Sequence, residues 1–317
     1  MPTQAPDYEP RLRELRSTDF PPYFHEHEGA LFHSHGDSPY PLPVHGPEWN
    51  RLNVQHSILH QLHPEPQYIG VVRGALAPGP EAKLAIDLCT GTGKWAMEMA
   101  RAFPQAWFRG IDIVPIATRR PLVNVQFELQ DVNATPYRWG PGTVDLIHAR
   151  DIALAVENYT KILEEVARIL RPGGLFVSVE WGMRPAGVSP STGALVHAPS
   201  MAHFFDIVKS NLAARRGLQA FEQNTVRDLI LQNQDFSGPV TETIQVPIGS
   251  WPADEDMQRF GRAFRAAHRY FAAAITPFLS EAVDPVDLNI AIQAHVHEMM
   301  TIDGLVTEYY ATYARRI

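Results

Sequence analysis

A single cysteine, Cys89, stands among 317 residues, so no disulfide can close within the chain and no multi-cysteine zinc site can be built. Cationic surplus is also missing. The chain has 27 lysines and arginines against 35 aspartates and glutamates, a net charge of −8, which argues against nucleic acid as the main partner, because a phosphate backbone is bound by basic side chains that displace its counterions. No apolar run reaches membrane-spanning length, and Met1-Pro-Thr-Gln-Ala-Pro6 lacks the basic-then-apolar order of a signal peptide. There is no internal repeat or low-complexity tract. These absences leave the expectation of a soluble cytoplasmic or nuclear protein whose partners are small molecules or other proteins.

What is present suits a large globular chain. Hydrophobic residues make up 45% and charged residues 20%, and 27 prolines imply long ordered loops. Residues 1–48 show no sustained periodicity and are expected as an extended arm on the body. Glu48 to Leu62 has helical spacing through Leu52, His56, Leu59 and Leu62, with Pro64 and Pro66 as the stop. Pro78-Gly-Pro80 is a second break. Strand and helix patterns then alternate: strands at 83–88, 107–112, 125–129, 144–148 and 175–180, with helices at 94–103 and 158–170. That order predicts a parallel sheet with Asp87, Asp112, Asp131, Arg150 and Glu180 around one crevice at the strands' carboxyl ends.

After Glu180, prolines 185, 190 and 199 bracket a loop. Helical patterns at 202–214, 225–232, 257–274 and 286–300, with strand patterns at 240–246 and 305–313, suggest a cap that returns to the sheet. The expected division is an arm and lid helix (1–80), a cofactor-binding core (81–182) and a helical substrate region carrying the last two strands (183–317).

The most informative stretch is Leu84-Ala-Ile-Asp-Leu-Cys-Thr-Gly-Thr-Gly-Lys-Trp-Ala96, a buried strand, a glycine turn and a helix start. Amides at such a helix start attract negative ligand groups. Gly91-Thr-Gly93-Lys-Trp-Ala96 fits the dinucleotide pattern GxGxxA, and Asp112 stands where a ribose-binding carboxylate is expected. On these residues alone a dinucleotide, another nucleotide-type cofactor or plain packing all remain open. Arg171-Pro-Gly-Gly174 before an apolar strand is a tight turn for which a nicotinamide enzyme has no particular need.

Taken together, Asp87-Leu-Cys-Thr-Gly-Thr-Gly93, Gly110-Ile-Asp-Ile113, Glu128-Leu-Gln-Asp-Val132, Val144-Asp-Leu-Ile-His148 and Leu170-Arg-Pro-Gly-Gly174 resemble class I S-adenosylmethionine-dependent methyltransferases in order and spacing. Tyr40-Pro-Leu-Pro43, Glu48-Trp-Asn-Arg51, Val246-Pro-Ile-Gly-Ser-Trp-Pro252 and the final aromatic strand extend the likeness to the fungal LaeA-like methyltransferases of secondary metabolism. The resemblance implies an α/β, Rossmann-like, seven-stranded and mostly parallel sheet flanked by helices, with an antiparallel last strand, an N-terminal arm and helix, and a helical substrate cap. It implies that Asp87 and the turn Cys89, Thr90, Gly91 and Gly93, with Trp95 behind it, hold the methionine end of the cofactor. Asp112 would take the ribose hydroxyls, Ile113 would pack on the adenine, and Asp131 and the Val132 amide would meet the adenine edge. Ala149 and Arg150 would lie near the methionine portion, and Tyr40 and Arg51 would add contacts from the outer motifs.

The implied function is methyl transfer to oxygen or nitrogen of a small metabolite. Glu180, His148, His203 and His197 are the candidate bases. The alternative is a LaeA-like regulator that binds the cofactor and acts through a protein partner. Cys89 departs from the family's usual glycine, which removes freedom at positive φ there; a buried small apolar role is favoured over a reactive thiol. Eight of the fourteen histidines lie between His25 and His63, but without a committed strand or an acidic partner set no metal site is assigned. Phe204, Phe205, Phe260, Phe264, Tyr270 and Phe271 are candidates for pocket lining or core.

Overall fold

In the computed structural model the described residues are 5–7, 9, 11–62, 69–189 and 191–317. Pro64, Pro66, Pro190, His63 and the first four residues lie outside them. The centre is a seven-stranded sheet in the order β5-β4-β3-β6-β7-β9-β8, built from β3 (Lys83–Leu88), β4 (Ala106–Asp112), β5 (Val125–Leu129), β6 (Val144–Arg150), β7 (Leu170–Gly187), β8 (Val240–Pro247) and β9 (Leu305–Arg315). Strands β3 to β7 pair in parallel. β9 is antiparallel to both β7 and β8, so the last strand in the chain inserts between them.

Alternation explains which side each residue faces. Leu84, Ile86 and Leu88 of β3 join one apolar cluster, with Ile162, Leu163 and Val166 of α4 (Tyr159–Ile169), and Ala85 joins the other. Asn158 starts α4 by accepting the Lys161 amide at 3.2 Å. α6 (Thr225–Leu231) packs in the same cluster as α4, and on the opposite face lie α1 (Gly46–Leu62), α2 (Ile69–Ala75) and α3 (Lys94–Ala102), together with α5 (Pro199–Arg216), α7 (Glu255–Ser280) and α8 (Pro285–Thr301). Phe204, Phe264 and Phe271 share one continuous cluster with Ala85, Trp95 and Leu59. Helices α5, α7 and α8 therefore pack into the same core cluster as α1 and α3, and β7 runs on through residue 182 to Gly187. β7 also begins five residues earlier than expected, because Leu170 already pairs with Val144 before a register shift at the Arg171-Pro-Gly-Gly174 turn.

The N-terminal arm is more ordered than its composition suggests. Residues Phe24–His27 (β1) and Ala30–His33 (β2) form a hairpin, with Glu28 and Gly29 in left-handed conformation at its tip. His25 and His27 share β1 with Phe32 between them, and among the described residues no group of three or more His, Cys, Asp or Glu is placed to hold a metal ion. No helix among them is long and apolar enough to cross a membrane. Ahead of the hairpin, Asp7 bonds the buried Arg109 guanidinium of β4 and takes further bonds from Arg138 and Trp139 at 2.9 and 3.0 Å. Removing it leaves a buried guanidinium with Glu128 at 3.9 Å as its remaining counter-charge. Asp7→Ala is expected to lower unfolding free energy by about 2–3 kcal/mol in urea titration.

A second buried polar feature sits between α5, α7 and α8. His268 and His295 have ring centroids 5.1 Å apart among Phe204, Phe205 and Trp181, and none of their ring nitrogens has a hydrogen-bond partner among the described residues. Burial pushes the His295 pKa down to about 4. The unfolded chain, with an ordinary histidine near 6.5, binds this proton first as pH falls. The stability is thus complete above pH 6.5 and lost as pH drops towards 4, by about 3 kcal/mol for this side chain. Melting curves should show a smaller loss of Tm between pH 7 and pH 4.5 in His295→Phe than in the parent.

Candidate functional site

At the carboxyl ends of β3, β4 and β6 the chain forms a partly open cavity, where an open α/β sheet places its ligands. The turn after β3 forms one wall. Cys89, Gly91 and Gly93 all have positive φ, at 51°, 55° and 75°. This winding lets the Thr90 amide donate to Ile111 at 2.9 Å, the Gly91 amide to the Asp112 carboxylate at 2.8 Å and the Gly93 amide to Thr90 at 3.0 Å. Asp112 closes β4 and takes a second bond from the Val114 amide at 3.2 Å. Burial lifts its pKa to about 6 against the pull of those amides.

The glycines are spaced for the protein's own packing as well as for a ligand. A Cβ on Gly93 would lie 2.4 Å from the Phe127 ring, and one on Gly110 2.6 Å from Thr90 Oγ1. At Gly91 the nearest atom is Leu52 Cδ1 of α1, 3.8 Å away, so that glycine faces the cavity. Burial raises the Cys89 thiol well above its ordinary pKa, so it stays protonated and fills space as a small apolar group.

The roof comes from the arm and α1. Ser38, Tyr40, Pro43 and Val44 line the cavity together with Trp49, Leu52, Asn53 and His56. Asn53 accepts from Thr92 Oγ1 at 2.9 Å, and Lys94 Nζ donates to Ser57 Oγ at 2.6 Å, which fastens α1 onto the glycine turn. Within α1 the buried Glu48 and Arg51 pair, Arg51 reaches Gln55 at 2.6 Å, and Gln55 donates to the Tyr309 hydroxyl of β9 at 2.6 Å. His56 contacts Arg150 at 2.8 Å and Glu98 at 2.7 Å. Burial and the Arg150 charge hold its pKa down, to about 4. At the far rim, Asp131 accepts from the Asn133 amide at 2.8 Å and contacts His35 of the arm at 3.0 Å.

Most of the expected site residues meet here. Tyr40, Cys89, Thr90, Gly91, Asp112, Ile113, Asp131, Val132 and Arg150 line the cavity; Asp87, Gly93, Trp95 and Ala149 are not part of its wall. The Asp87 carboxylate is spent beneath it, accepting from Thr90 Oγ1 at 2.6 Å and bonding His148 Nδ1 at 2.7 Å. Trp95 stacks on that imidazole, with ring centres 3.9 Å apart and planes within 3°. His148 is therefore a buried strut, which removes it as a base. His203 and His197 are exposed and line neither this cavity nor the adjoining one.

That adjoining cavity shares Tyr40, Leu52 and Asp151 with the first and continues along Leu42, Leu154, Trp181, Met183 and Phe271, with Arg51 and Glu180 in its wall. Of the six candidate aromatic residues only Phe271 is in this lining; the other five are packed in or against the core. Glu180 is buried and accepts the Ile152 and Ala153 amides, both at 3.3 Å, so its carboxylate pins the segment after β6. Asp151, absent from the expected set, is the carboxylate common to both cavities. Its position immediately after the Val144–Arg150 strand was the available signal.

With Glu48 neutralised by Arg51, the larger cavity sets Asp112, Asp131 and Asp151 against Lys94 and Arg150, a small acidic surplus that disfavours a dinucleotide's pyrophosphate and suits a cationic ligand with ribose hydroxyls to donate. Fold and site define a Rossmann-like α/β protein with a pocket for a nucleoside-type, positively charged cofactor.

The chain belongs to the methyltransferase-domain family, which matches residues 60–223. S-adenosylmethionine, a sulfonium cation carrying an adenosine, is the cofactor of that family and fits this donor set. The chain is 26% identical over 245 residues to the protein-methionine methyltransferase laeA of Emericella nidulans, covering 77% of this chain and 62% of that protein. It is 27% identical over 248 residues to the methyltransferase pytC of Aspergillus terreus, covering 77% and 71%. Against the first relatives it thus spans under two thirds of their length. Among solved structures, phosphoethanolamine N-methyltransferase 2 of Haemonchus contortus aligns with a TM-score of 0.48 at 15% identity, covering 84% of this chain and 57% of that one.

Cys89, held at φ 51°, gives a direct check on the turn. Valine, branched at Cβ, is strained there by about 1–2 kcal/mol, whereas glycine adopts the conformation readily. Cys89→Val should be measurably less stable in urea and bind S-adenosylmethionine more weakly; Cys89→Gly should match the parent in both.

Proposed function

We propose that this protein catalyses methyl transfer from S-adenosylmethionine to an oxygen or nitrogen of a small molecule. The observation that carries the proposal is the pair of adjoining cavities, one acidic and walled by the glycine turn and Asp112, the other largely apolar, sharing Tyr40, Leu52 and Asp151. Two chambers joined at a few side chains are what an in-line transfer between a bound donor and a bound acceptor requires.

In this reading Asp112 would accept the ribose hydroxyls, Ile113 would pack against the base, and Asp131 with the Val132 amide would meet its edge. Cys89, Thr90 and Gly91, with Arg150, would flank the amino-acid end. The bound sulfonium supplies an already electrophilic methyl group, so the chain's own task is to position and to exclude water. Tyr40, Val44 and Leu52 serve the second purpose as roof. Asn53 and Ser57 serve the first, because they hold α1 onto Thr92 and Lys94.

Calorimetry with S-adenosylmethionine and with S-adenosylhomocysteine tests the donor half. Both should bind, and Asp112→Ala should weaken S-adenosylmethionine about 10–100-fold, the loss of one or two charge-assisted hydrogen bonds. Tritium transfer from the labelled donor into an acceptor library tests the transfer half. Binding without transfer to any small molecule, but with transfer to a protein, would replace the small-molecule acceptor by a protein one.

A further inference from the structure

Asp151 is the one carboxylate among the described residues that lines both chambers, and while the Trp181 amide bonds its carboxylate, one of its two oxygens is left without a partner. It directly follows β6 at φ 54°, a left-handed conformation strained for any side chain. Its amide donates to the Val179 carbonyl at 3.0 Å, so β7 fixes the backbone in that conformation. Its Oδ1 is shielded from solvent and has no hydrogen-bond partner among the described residues. A shielded carboxylate oxygen without a donor is costly and marks a site that a ligand completes.

The charged neighbours are committed elsewhere. Arg51 on α1 is held by Glu48 and Gln55, Arg150 on β6 contacts His56, and Glu180 on β7 takes the Ile152 and Ala153 amides. The Trp181 amide, the Tyr309 ring of β9 and Tyr40 of the arm complete the surroundings. Burial, opposed by the two guanidinium groups, lifts the Asp151 pKa to about 6. The group is therefore ionised at neutral pH while still able to take a proton, the range in which a general base works.

Apart from Arg51 and Glu180, whose charged groups are engaged by Glu48 and Gln55 and by two backbone amides, the chamber beyond it is walled by Leu42, Leu154, Trp181, Met183 and Phe271, which suits a flat apolar body. A hydroxyl is the nucleophile that matches. Its oxygen keeps a lone pair for attack while its proton is hydrogen-bonded to a carboxylate, whereas an ammonium group has no lone pair to offer. We propose that Asp151 is the catalytic base and that the apolar chamber selects an uncharged phenolic acceptor, an inference that rests on the methyl-transfer reading above. The phenolic oxygen bonds to the methyl carbon as the carbon–sulfur bond breaks. The electron pair of that bond stays on sulfur, which becomes neutral, and the hydroxyl proton goes to Asp151, which returns it to solvent.

The test uses 2-naphthol and the full chain saturated with S-adenosylhomocysteine. Binding followed by naphthol fluorescence should tighten at least fivefold as pH rises through about 6 in the parent and stay flat in Asp151→Asn. Met183→Trp, which fills the chamber, should lose naphthol while holding S-adenosylhomocysteine. Tritium transfer from labelled S-adenosylmethionine to naphthol, measured at saturating donor, should fall at least 100-fold in Asp151→Asn. A pH-independent parent, full naphthol binding by Met183→Trp, or undiminished transfer by Asp151→Asn overturns the proposal. Failure of the parent to bind S-adenosylhomocysteine overturns the methyl-transfer reading instead.

Discussion

Much of the site hangs on the two oxygens of one buried carboxylate. Asp87, near the end of β3, bonds Thr90 of the following turn through one oxygen and His148 of β6 through the other, and Trp95 of α3 lies flat on that imidazole. Two neighbouring strands, the turn and the helix are joined at a point nearly closed to water, where such bonds are strong and an unmet partner is costly. With the turn held in place, the Gly91 amide reaches the Asp112 carboxylate. The acid at the end of β4 is thus oriented by a bond that begins one layer below the cavity floor.

The same economy governs the roof. α1 lies outside most of the matched family segment, which begins at residue 60, yet it supplies Leu52, Asn53 and His56 to the cavity wall. Through Gln55 it is bonded to Tyr309 of β9. A chain of polar contacts therefore links the first helix, the glycine turn and a strand near the end of the sequence, so that the two adjoining cavities are shaped by common parts. The small acidic surplus of the larger cavity bears on its ligand where the glycines do not, because the glycines are compatible with a dinucleotide as well.

The strands and helices of the core were legible because apolar alternation and helical spacing are local signals, and five ordered motifs fixed the sheet's ligand edge. The same motifs point to Asp112, Asp131 and the turn at Cys89, Thr90 and Gly91, which line one cavity. What escaped is what three-dimensional packing decides. The Phe24–His27 and Ala30–His33 strands are too short and too rich in histidine to show a pattern. His148 and Asp87 carry types suited to chemistry, and only the stacking of Trp95 and the bond between them turn both inward. Glu180 looked like a base at a strand end, but two backbone amides claim it. For Asp151 the one sequence signal is its place right after the Val144–Arg150 strand, which many aspartates share; its left-handed backbone and its position between two cavities appear only in the fold.

The most direct test of the two-chamber account is a crystal structure with S-adenosylhomocysteine bound. The account predicts the ribose hydroxyls within hydrogen-bond distance of Asp112 and the sulfur facing the junction of Tyr40, Leu52 and Asp151. A cofactor bound away from the glycine turn, or one whose sulfur is walled off from the chamber at Trp181, Met183 and Phe271, would contradict it.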